Sequence, residues 1–146
     1  MNWTEYFLNI AEQVKLKSKD ESTQIGAVIV GEDNEVLSTG YNSFPRGMDD
    51  SKQERQERPE KYFWFEHAER NAIYNAARVG MALKNSTIYL TSGVPCMDCS
   101  RGIVNSGIKV IWCKRTCTTK NKEKWEESQL KSIQLLNECG VQVMFY

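Results

Sequence analysis

The run "QIGAVIVG" at positions 24–31 constrains the fold more than any other stretch of this sequence. It is apolar on both faces and rich in β-branched residues, which is typical of a strand buried within a sheet. The turn "EDN" and the segment "EVLSTGY" follow it, so the two segments predict a pair of adjacent strands. Helical segments separate three later strand segments, "STIYLT", "IKVIWC" and "VQVMFY", and this order implies right-handed parallel crossovers. We therefore predict an α/β protein with a five-stranded mixed sheet covered by helices on both faces.

Four segments with apolar or small residues at helical spacing predict the helices, in the element order αββαβαβαβ. They cover about 3–16, 67–79, 96–107 and 122–137, and Gly80, Gly107 and Gly140 are placed to end the last three. The predicted inward positions are Trp3, Tyr6, Phe7, Ile10 and Val14; Ala68, Ala72, Ile73 and Ala76; Cys96, Cys99 and Ile103; and Trp125, Ile133 and Leu136. Residues 42–61 contain turn formers and alternating charges without periodicity, so they predict a long loop, and loops of this length are usually functional or disordered.

The charge balance argues against one large class of partner. Lys plus Arg and Asp plus Glu each number 19, so there is no basic surplus, and we expect no polymeric nucleic acid as a partner. No apolar run has the length of a membrane span, and the amphipathic N-terminus is unlike a signal peptide. We expect one domain, residues 1–146, in a cytoplasmic protein that does not bind membranes.

Five cysteines and a single histidine, His67, indicate a metal site. The cysteine count is odd and Cys96 and Cys99 lie three positions apart, which a disulfide framework explains poorly. All three residues open predicted helices, where the partial positive charge of the N-terminus stabilises a thiolate. Pro95 suits the position just before such a helix. Three ligands of this kind leave one position of a zinc tetrahedron open, as in catalytic sites.

Glu69 lies two residues after His67 and is not needed as a metal ligand. A zinc ion with two thiolates and one neutral imidazole carries no net charge, so it acidifies water less than a three-histidine site does. A neighbouring carboxylate can accept the proton of the water and pass it to a ring nitrogen of a substrate. We therefore predict that Glu69 is the catalytic proton shuttle.

The same residues also have non-catalytic interpretations. A lone histidine is more often a surface or core residue than a ligand, and a lone C-x-x-C also fits redox or structural zinc sites. A structural zinc site needs a fourth ligand, for which Cys113, Cys117 and Cys139 are candidates. Their predicted positions, at a strand end, in a loop and at a helix end, favour buried free thiols instead. A zinc-stabilised interaction module is the non-enzymatic alternative.

The combination of H-A-E at 67–69 and P-C-x-x-C at 95–99 is the signature of zinc-dependent base deaminases. Further matching stretches run along nearly the whole chain: "YFLNIA", "SKD" at 18–20, "TQIGAVIV", "GYNSFPRG" at 40–47, "HAERNAI" and "PCMDCSRGIVNSGIKVI". On these stretches the chain resembles the deoxycytidylate (dCMP) deaminases. The resemblance implies a three-layer α/β/α cytidine-deaminase-like fold and the hydrolytic deamination of dCMP to dUMP, which supplies dUMP for dTTP synthesis.

The resemblance also implies roles for individual residues. His67, Cys96 and Cys99 would bind Zn²⁺, and Glu69 would donate the proton. The substrate contacts would be Ser18 and Lys19 on the 5′-phosphate, Asn42 on the deoxyribose, and Ala68, Ser92 and Val94, the last two offering backbone groups to the pyrimidine. An ordinary solvated helix end explains the lysines of "KLKSK" at 15–19 equally well.

Regulation is a further implication of the resemblance. Members of the family are often hexamers that dCTP activates and dTTP inhibits, with Mg²⁺ accompanying the effector. By resemblance this chain would be a homo-hexamer, and its effector site would include Tyr41, Asn42, Phe44 and Gly47. The charged loop after Met48 would be a lid or a subunit contact.

Departures from the family pattern leave alternatives open. "CKRTCTTKNK" stands at 113–122 where a tyrosine and acidic residues are expected. The positive charges of Lys114, Arg115 and Lys120 suit a substrate with more phosphates, such as dCTP, or simply face solvent. Some viral relatives bind a second, structural zinc ion through histidines and cysteines in the loop region, but residues 42–66 here contain neither residue type, so we predict one zinc ion per chain. A zinc deaminase of nucleosides or transfer RNA is a further alternative, although the balanced charge argues against transfer RNA and the predicted helix before the last strand against nucleosides.

Overall fold

The structure is a computed structural model that describes residues 1–115 and 126–146. Within these ranges the strands are β1 (Gly26–Val30), β2 (Val36–Tyr41), β3 (Thr87–Leu90), β4 (Val110–Cys113) and β5 (Gln142–Phe145). They form one sheet in the order β2-β1-β3-β4-β5. Strand β1 is antiparallel to β2 and β3, whereas β3, β4 and β5 are parallel. The predicted five-stranded mixed sheet is confirmed.

The helices in the described ranges are α1 (Trp3–Val14), α2 (Lys61–Trp64), α3 (Ala68–Val79), α4 (Met97–Ser106) and α5 (Glu127–Glu138). None of them combines the length and apolar character that crossing a bilayer requires. The prediction of a loop throughout 42–61 is wrong in detail, because Gln53–Gln56 form a 3-10 turn and α2 begins at Lys61. The predicted start of the last helix at Lys122, and its Trp125, lie outside the described residues.

Alternate residues of β1 point to opposite faces of the sheet, and each face has its own core. The larger core combines Ala27 and Ile29 with Ala72 of α3, Ile103 of α4 and Leu136 of α5. The smaller core combines Val28 and Val30 with Phe7 and Ala11 of α1. Helices therefore cover both faces, as the sequence predicts, because a strand that is apolar on both sides must be buried on both sides.

In two helices, residues predicted to face the core near the N-terminus are exposed instead. Trp3 and Tyr6 of α1 are 57% and 44% exposed. Their rings contact the ring of Phe7, with centroids 5.7 and 5.1 Å away, and it is Phe7 that reaches Tyr89 of the sheet. Cys96 is exposed as well, because it is the N-cap residue before the first turn of α4.

Gly40 in β2 allows α3 to lie directly against the sheet. A Cβ atom at this position would come within 2.3 Å of the backbone nitrogen of Ala72 and 2.6 Å of the carbonyl oxygen of Ala68. The Ser38 hydroxyl donates to the Ala72 carbonyl at 2.7 Å, and the side-chain amide of Asn75 donates to the Thr39 carbonyl at 2.8 Å. These contacts fix the N-terminal half of α3 relative to the sheet.

We expect the substitution Gly40→Ala to lower the free energy of unfolding by about 2–3 kcal/mol, because the crowded atoms belong to the backbone of α3 and cannot swing aside. Gly102→Ala is the matched control. A Cβ atom there meets only ordinary contacts, the nearest at 3.8 Å, and alanine is favoured over glycine within a helix. Urea unfolding followed by circular dichroism measures both changes. Equal effects of the two substitutions would contradict the close packing of α3 on β2.

Candidate active site

Helices α3 and α4 begin next to each other, and their starts bring the three predicted metal ligands together. His67 is the N-cap residue of α3, and Cys96 is the N-cap residue of α4, with Cys99 in its first turn. The Nδ1 atom of His67 lies 3.5 Å from Sγ of Cys96 and 3.3 Å from Sγ of Cys99. Among the described residues, this is the one group of three or more His, Cys, Asp or Glu side chains whose ligand atoms lie within 4.8 Å of one another.

The two thiols differ in their affinity for a proton. The pKa of Cys96 falls to about 4, because Cys99 donates a hydrogen bond to its sulfur and His67 and the backbone N–H of Cys99 add to this effect. The pKa of Cys99 is raised, since Cys99 is the donor in that bond and is buried. A thiolate, a thiol that can lose its proton and an imidazole are the donor set of a catalytic zinc site. The residues present therefore fit Zn²⁺.

Glu69 lies in the first turn of α3 and is only 5% exposed. Its carboxylate is outside the group of three ligands, as the proton-shuttle prediction requires. Burial raises the pKa of Glu69, which suits a carboxyl that takes up and releases protons. Ala68, a predicted substrate contact, is fully buried in the larger core and does not line the adjoining cavity.

A cavity of about 470 Å³ opens beside the ligands, and we call it the metal-side cavity. Its volume lies in the range of pockets that hold small molecules. The predicted site residues that line it are Asn42, His67, Glu69, Ser92, Val94 and Cys96. Ser18 does not line it, and its hydroxyl donates to the carbonyl oxygen of Asn42 at 2.7 Å.

A second cavity, of about 350 Å³, is lined by three of the four predicted effector residues, Tyr41, Phe44 and Gly47. Asn42, the fourth, lines the metal-side cavity instead. Lys19, predicted on the substrate phosphate, lines the second cavity and pairs there with Asp50, with Nζ and Oδ2 2.7 Å apart. The structure thus separates Lys19 from the metal ligands.

The side-chain amide of Asn42 is largely engaged within the protein. Its oxygen accepts from the backbone N–H of Ile25 at 2.8 Å, and its nitrogen donates to the Thr23 carbonyl at 2.8 Å and to Asp20 at 3.2 Å. Both amide hydrogens are used, so the remaining lone pair of the oxygen is what the side chain can offer a ligand. Asn42 therefore shapes the cavity wall whether or not it touches a substrate.

Asp20 is a residue of the metal-side cavity that the sequence analysis missed. It is 8% exposed, and its Oδ1 accepts from Nζ of Lys61 at 2.7 Å and from the backbone N–H groups of Ser22 and Thr23 at 2.9 and 3.1 Å. Burial favours the neutral acid, but Lys61 and the other donors outweigh it, so the pKa of Asp20 is lowered. An Asp with Ser and Thr two and three residues later is a turn signal, whereas nothing local indicates a partner 41 positions away.

Lys114 and Arg115, the described members of the predicted positive group, do not line the metal-side cavity. The backbone N–H of Lys114 donates to the Ser92 carbonyl at 2.8 Å, and the guanidinium of Arg115 lies 4.6 Å from the centroid of the Phe145 ring. Lys120, the third residue of the predicted positive group, lies outside the described residues.

The remaining cysteines have different surroundings. Cys113 is buried at the end of β4 as predicted, and burial raises its pKa to about 12. Cys139 is exposed, so its prediction as a buried thiol is wrong, because the residue forms the C-cap of α5 where the chain turns toward β5. Cys117 lies outside the described residues.

Comparison with known proteins supports this site. The family model described as the cytidine and deoxycytidylate deaminase zinc-binding region matches residues 1–114. The chain therefore belongs to the cytidine and deoxycytidylate deaminase family, and it is a hydrolytic deaminase with a zinc-binding site. The family resemblance drawn from the sequence is confirmed.

Individual relatives agree in fold and family. An uncharacterized deaminase in the luxG 3′ region of Aliivibrio fischeri is 37% identical over 97% of this chain and 91% of its own length. A probable deoxycytidylate deaminase of Caenorhabditis elegans is 41% identical over 73% of this chain, which spans only 54% of that longer relative. The crystal structure of the cyanophage S-TIM5 dCMP deaminase in complex with dCMP and dUMP has a TM-score of 0.76 at 23% identity, covering 97% of this chain and 95% of that one. The predicted cytidine-deaminase-like fold is confirmed.

The pair of Asp20 and Lys61 predicts an acid-sensitive contribution to stability. We expect Lys61→Gln to cost about 2 kcal/mol at pH 7, because it leaves a buried carboxylate without its cation. A lowered pKa means that the stabilisation is complete above the ordinary carboxyl pKa of about 4 and is lost as the pH falls through the lower pKa of the folded state. The difference between wild type and variant should therefore shrink below about pH 4 in urea unfolding experiments.

Lys19→Gln is the control, because its pair with Asp50 is exposed, with side chains 64% and 43% accessible. We expect it to change stability little at any pH. A cost of Lys61→Gln that is the same at pH 7 and pH 3 would contradict the assigned role of Asp20.

Proposed function

We propose that this chain catalyses the zinc-dependent hydrolytic deamination of dCMP to dUMP. One observation carries the proposal: the ligands His67 and Cys96 and the buried carboxylate of Glu69 line a single cavity of about 470 Å³, and the third ligand, Cys99, lies within reach of the other two. The relatives support the choice of substrate, since one is named a probable deoxycytidylate deaminase and a protein of the same fold is a dCMP deaminase in complex with dCMP and dUMP.

The chemistry follows from the position of Glu69. When bound, zinc supplies the Lewis acid that activates the attacking water. Glu69 takes the proton of that water and delivers it to N3 of the cytosine, which makes C4 electrophilic. The C4–O bond forms, Glu69 moves the proton of the new C4 hydroxyl to the amino group, and the C4–N bond breaks to release ammonia and leave the C4 carbonyl of uracil. Burial of Glu69 supports this role because it raises the pKa of the carboxyl that must carry the proton.

The charges around the metal-side cavity favour a monophosphate over dCTP. Its described lining contains two cationic side chains, Arg58 and Lys61, and Lys61 is paired with Asp20. Lys114 and Arg115, which suggested dCTP, do not line the cavity. A triphosphate would bring more negative charge than this lining balances.

The second cavity supports the proposal of regulation. Three cations, Lys17, Lys19 and Arg46, line it together with Tyr41 and a single carboxylate, Asp50. Such a lining suits the triphosphate of dCTP or dTTP, and Mg²⁺ would accompany the phosphates because it commonly bridges a carboxylate and phosphate oxygens. Tyr41, Phe44 and Gly47 are then the effector residues that the cavity accommodates.

The remaining parts of the proposal rest on the sequence and the resemblance. They are a single deaminase domain over 1–146, assembly as a homo-hexamer, a cytoplasmic location, no polymeric nucleic acid or membrane partner, and supply of dUMP for dTTP synthesis. The matched region ends at residue 114, and β5 continues the same sheet beyond it, which supports the single domain.

The test of the activity is the ultraviolet absorbance change as cytosine becomes uracil, measured with zinc for dCMP, dCTP, deoxycytidine and cytidine. We expect dCMP to give the highest kcat/KM. Glu69→Gln should retain zinc and lose at least about 100-fold in kcat, because proton transfer by a positioned side chain contributes that much or more.

Cys99→Ser separates chemistry from metal binding, since it should lose both zinc and activity. Metal analysis of each variant gives the zinc content. No turnover of any of the four substrates by the zinc-loaded wild type would sink the proposal, and full activity of Glu69→Gln would remove Glu69 from it.

The test of regulation is the dependence of the rate on dCMP concentration with and without effectors. We expect a sigmoidal curve that dCTP makes hyperbolic and that dTTP with Mg²⁺ shifts to higher dCMP. Arg46→Gln should weaken both responses, because Arg46 lines the second cavity, whereas Arg78→Gln, on the exposed end of α3, should not. Hyperbolic kinetics that neither nucleotide alters would contradict the regulatory proposal.

A further inference from the structure

The charged side chains that line the metal-side cavity differ in whether they form an ion pair within the described residues. Lys61 pairs with Asp20, with Nζ and Oδ1 2.7 Å apart. Glu66 pairs with Arg70 of α3, with Oε1 and Nη2 also 2.7 Å apart. Glu69 is buried beside the metal ligands. Arg58 also lines the cavity, and no carboxylate of the described residues lies within 4.0 Å of its guanidinium.

Arg58 is held at the open side of the cavity. Its guanidinium carbon lies 5.6 Å from the centroid of the Tyr62 ring, a distance at which the ring attracts a cation. The next residue is Pro59, which restricts the backbone of Arg58 to extended conformations. Arg58 is exposed whereas Glu69 is buried, so the cavity runs from a positive rim to the catalytic carboxylate.

An arginine at the rim that has no ion-pair partner in the described part of the chain matches the chemistry of a nucleotide. The 5′-phosphate is the part of dCMP farthest from the reacting base, and a guanidinium binds phosphate oxygens through two parallel hydrogen bonds. We propose that Arg58 binds the 5′-phosphate of the substrate and thereby selects nucleotides over nucleosides. This inference rests on the proposed function of nucleotide deamination.

The other residues that could bind the 5′-phosphate either contact other groups or do not line the metal-side cavity. Ser18 donates its hydroxyl proton to Asn42 and does not line the metal-side cavity. Lys19 lines the second cavity and pairs with Asp50. The ammonium of Lys61 binds both Asp20 and the hydroxyl of Ser22, each at 2.7 Å. Arg58 alone among these four lines the metal-side cavity without a polar partner in the described part of the chain.

The experiment compares a substrate with and without its phosphate. We expect Arg58→Gln to lower kcat/KM for dCMP by about 10- to 100-fold, the loss typical of a hydrogen bond between charged groups, mainly through KM. The kcat/KM for deoxycytidine should stay within about twofold of wild type, since the lost contact involves only the phosphate. Arg58→Lys should recover part of the loss for dCMP. Arg78→Gln, which makes the same change away from either cavity, should affect neither substrate, and circular dichroism checks that each variant is folded.

Calorimetric binding of dUMP and deoxyuridine tests the same contact without turnover. Arg58→Gln should weaken dUMP alone, whereas equal losses for both compounds, or no loss for dUMP, overturn the proposal. So does a phosphate-selective loss in Lys19→Gln that Arg58→Gln does not show. If the wild type binds dUMP but deaminates none of the substrates, the proposed function fails. The binding data then still test whether Arg58 contacts the phosphate. If the wild type does not bind dUMP, the role of Arg58 fails as well.

Discussion

The meeting of two helix N-termini is the contact on which the rest of this site depends. Each N-terminus carries partial positive charge and unpaired N–H groups, so two of them at one point repel unless anions lie between them. Here the sulfurs of Cys96 and Cys99 lie 3.5 and 3.3 Å from the ring of His67, which begins the facing helix. The thiolate that these N-termini stabilise is also the form that binds a metal ion. The same electrostatics therefore holds the helices together and prepares the ligand set.

Segment 18–23, "SKDEST", forms a wall common to both cavities. Lys19 faces the second cavity and its neighbour Asp20 faces the metal-side cavity. Gln56 fastens the long loop to this segment, since its side chain donates to the Lys19 carbonyl at 2.9 Å and accepts from the backbone N–H of Glu21 at 3.2 Å. A ligand that changes the pair of Lys19 and Asp50 therefore acts on the residue next to Asp20. Coupling between two sites needs such a shared element.

The parts of the fold that the sequence predicts are those that local patterns determine. The run ending at Val30 has to be buried on both faces, and the signature around His67 and Cys96 places ligands at helix starts, so the mixed sheet with helices on both faces and the metal site could be predicted from the sequence. The pairing of Asp20 with Lys61 and the cavity that Lys19 faces depend on how distant segments pack. The exposure of Trp3 has the same origin, because helical periodicity predicts a face but not how far the sheet extends beneath it.

The distribution of charge also determines which end of a nucleotide can enter first. The buried end of the metal-side cavity contains the carboxylate of Glu69, and a zinc ion with two thiolates and an imidazole adds no net charge there. A phosphate placed at that end would lie next to a carboxylate in a poorly solvated space, where repulsion between like charges is strong. Burying the neutral cytosine avoids this repulsion, and the rim offers the guanidinium of Arg58, which forms no ion pair within residues 1–115 and 126–146. For the proposed nucleotide substrate, base-first entry with the phosphate left at the rim is therefore the orientation that satisfies both ends of the cavity, and it would bring C4 next to the carboxyl of Glu69.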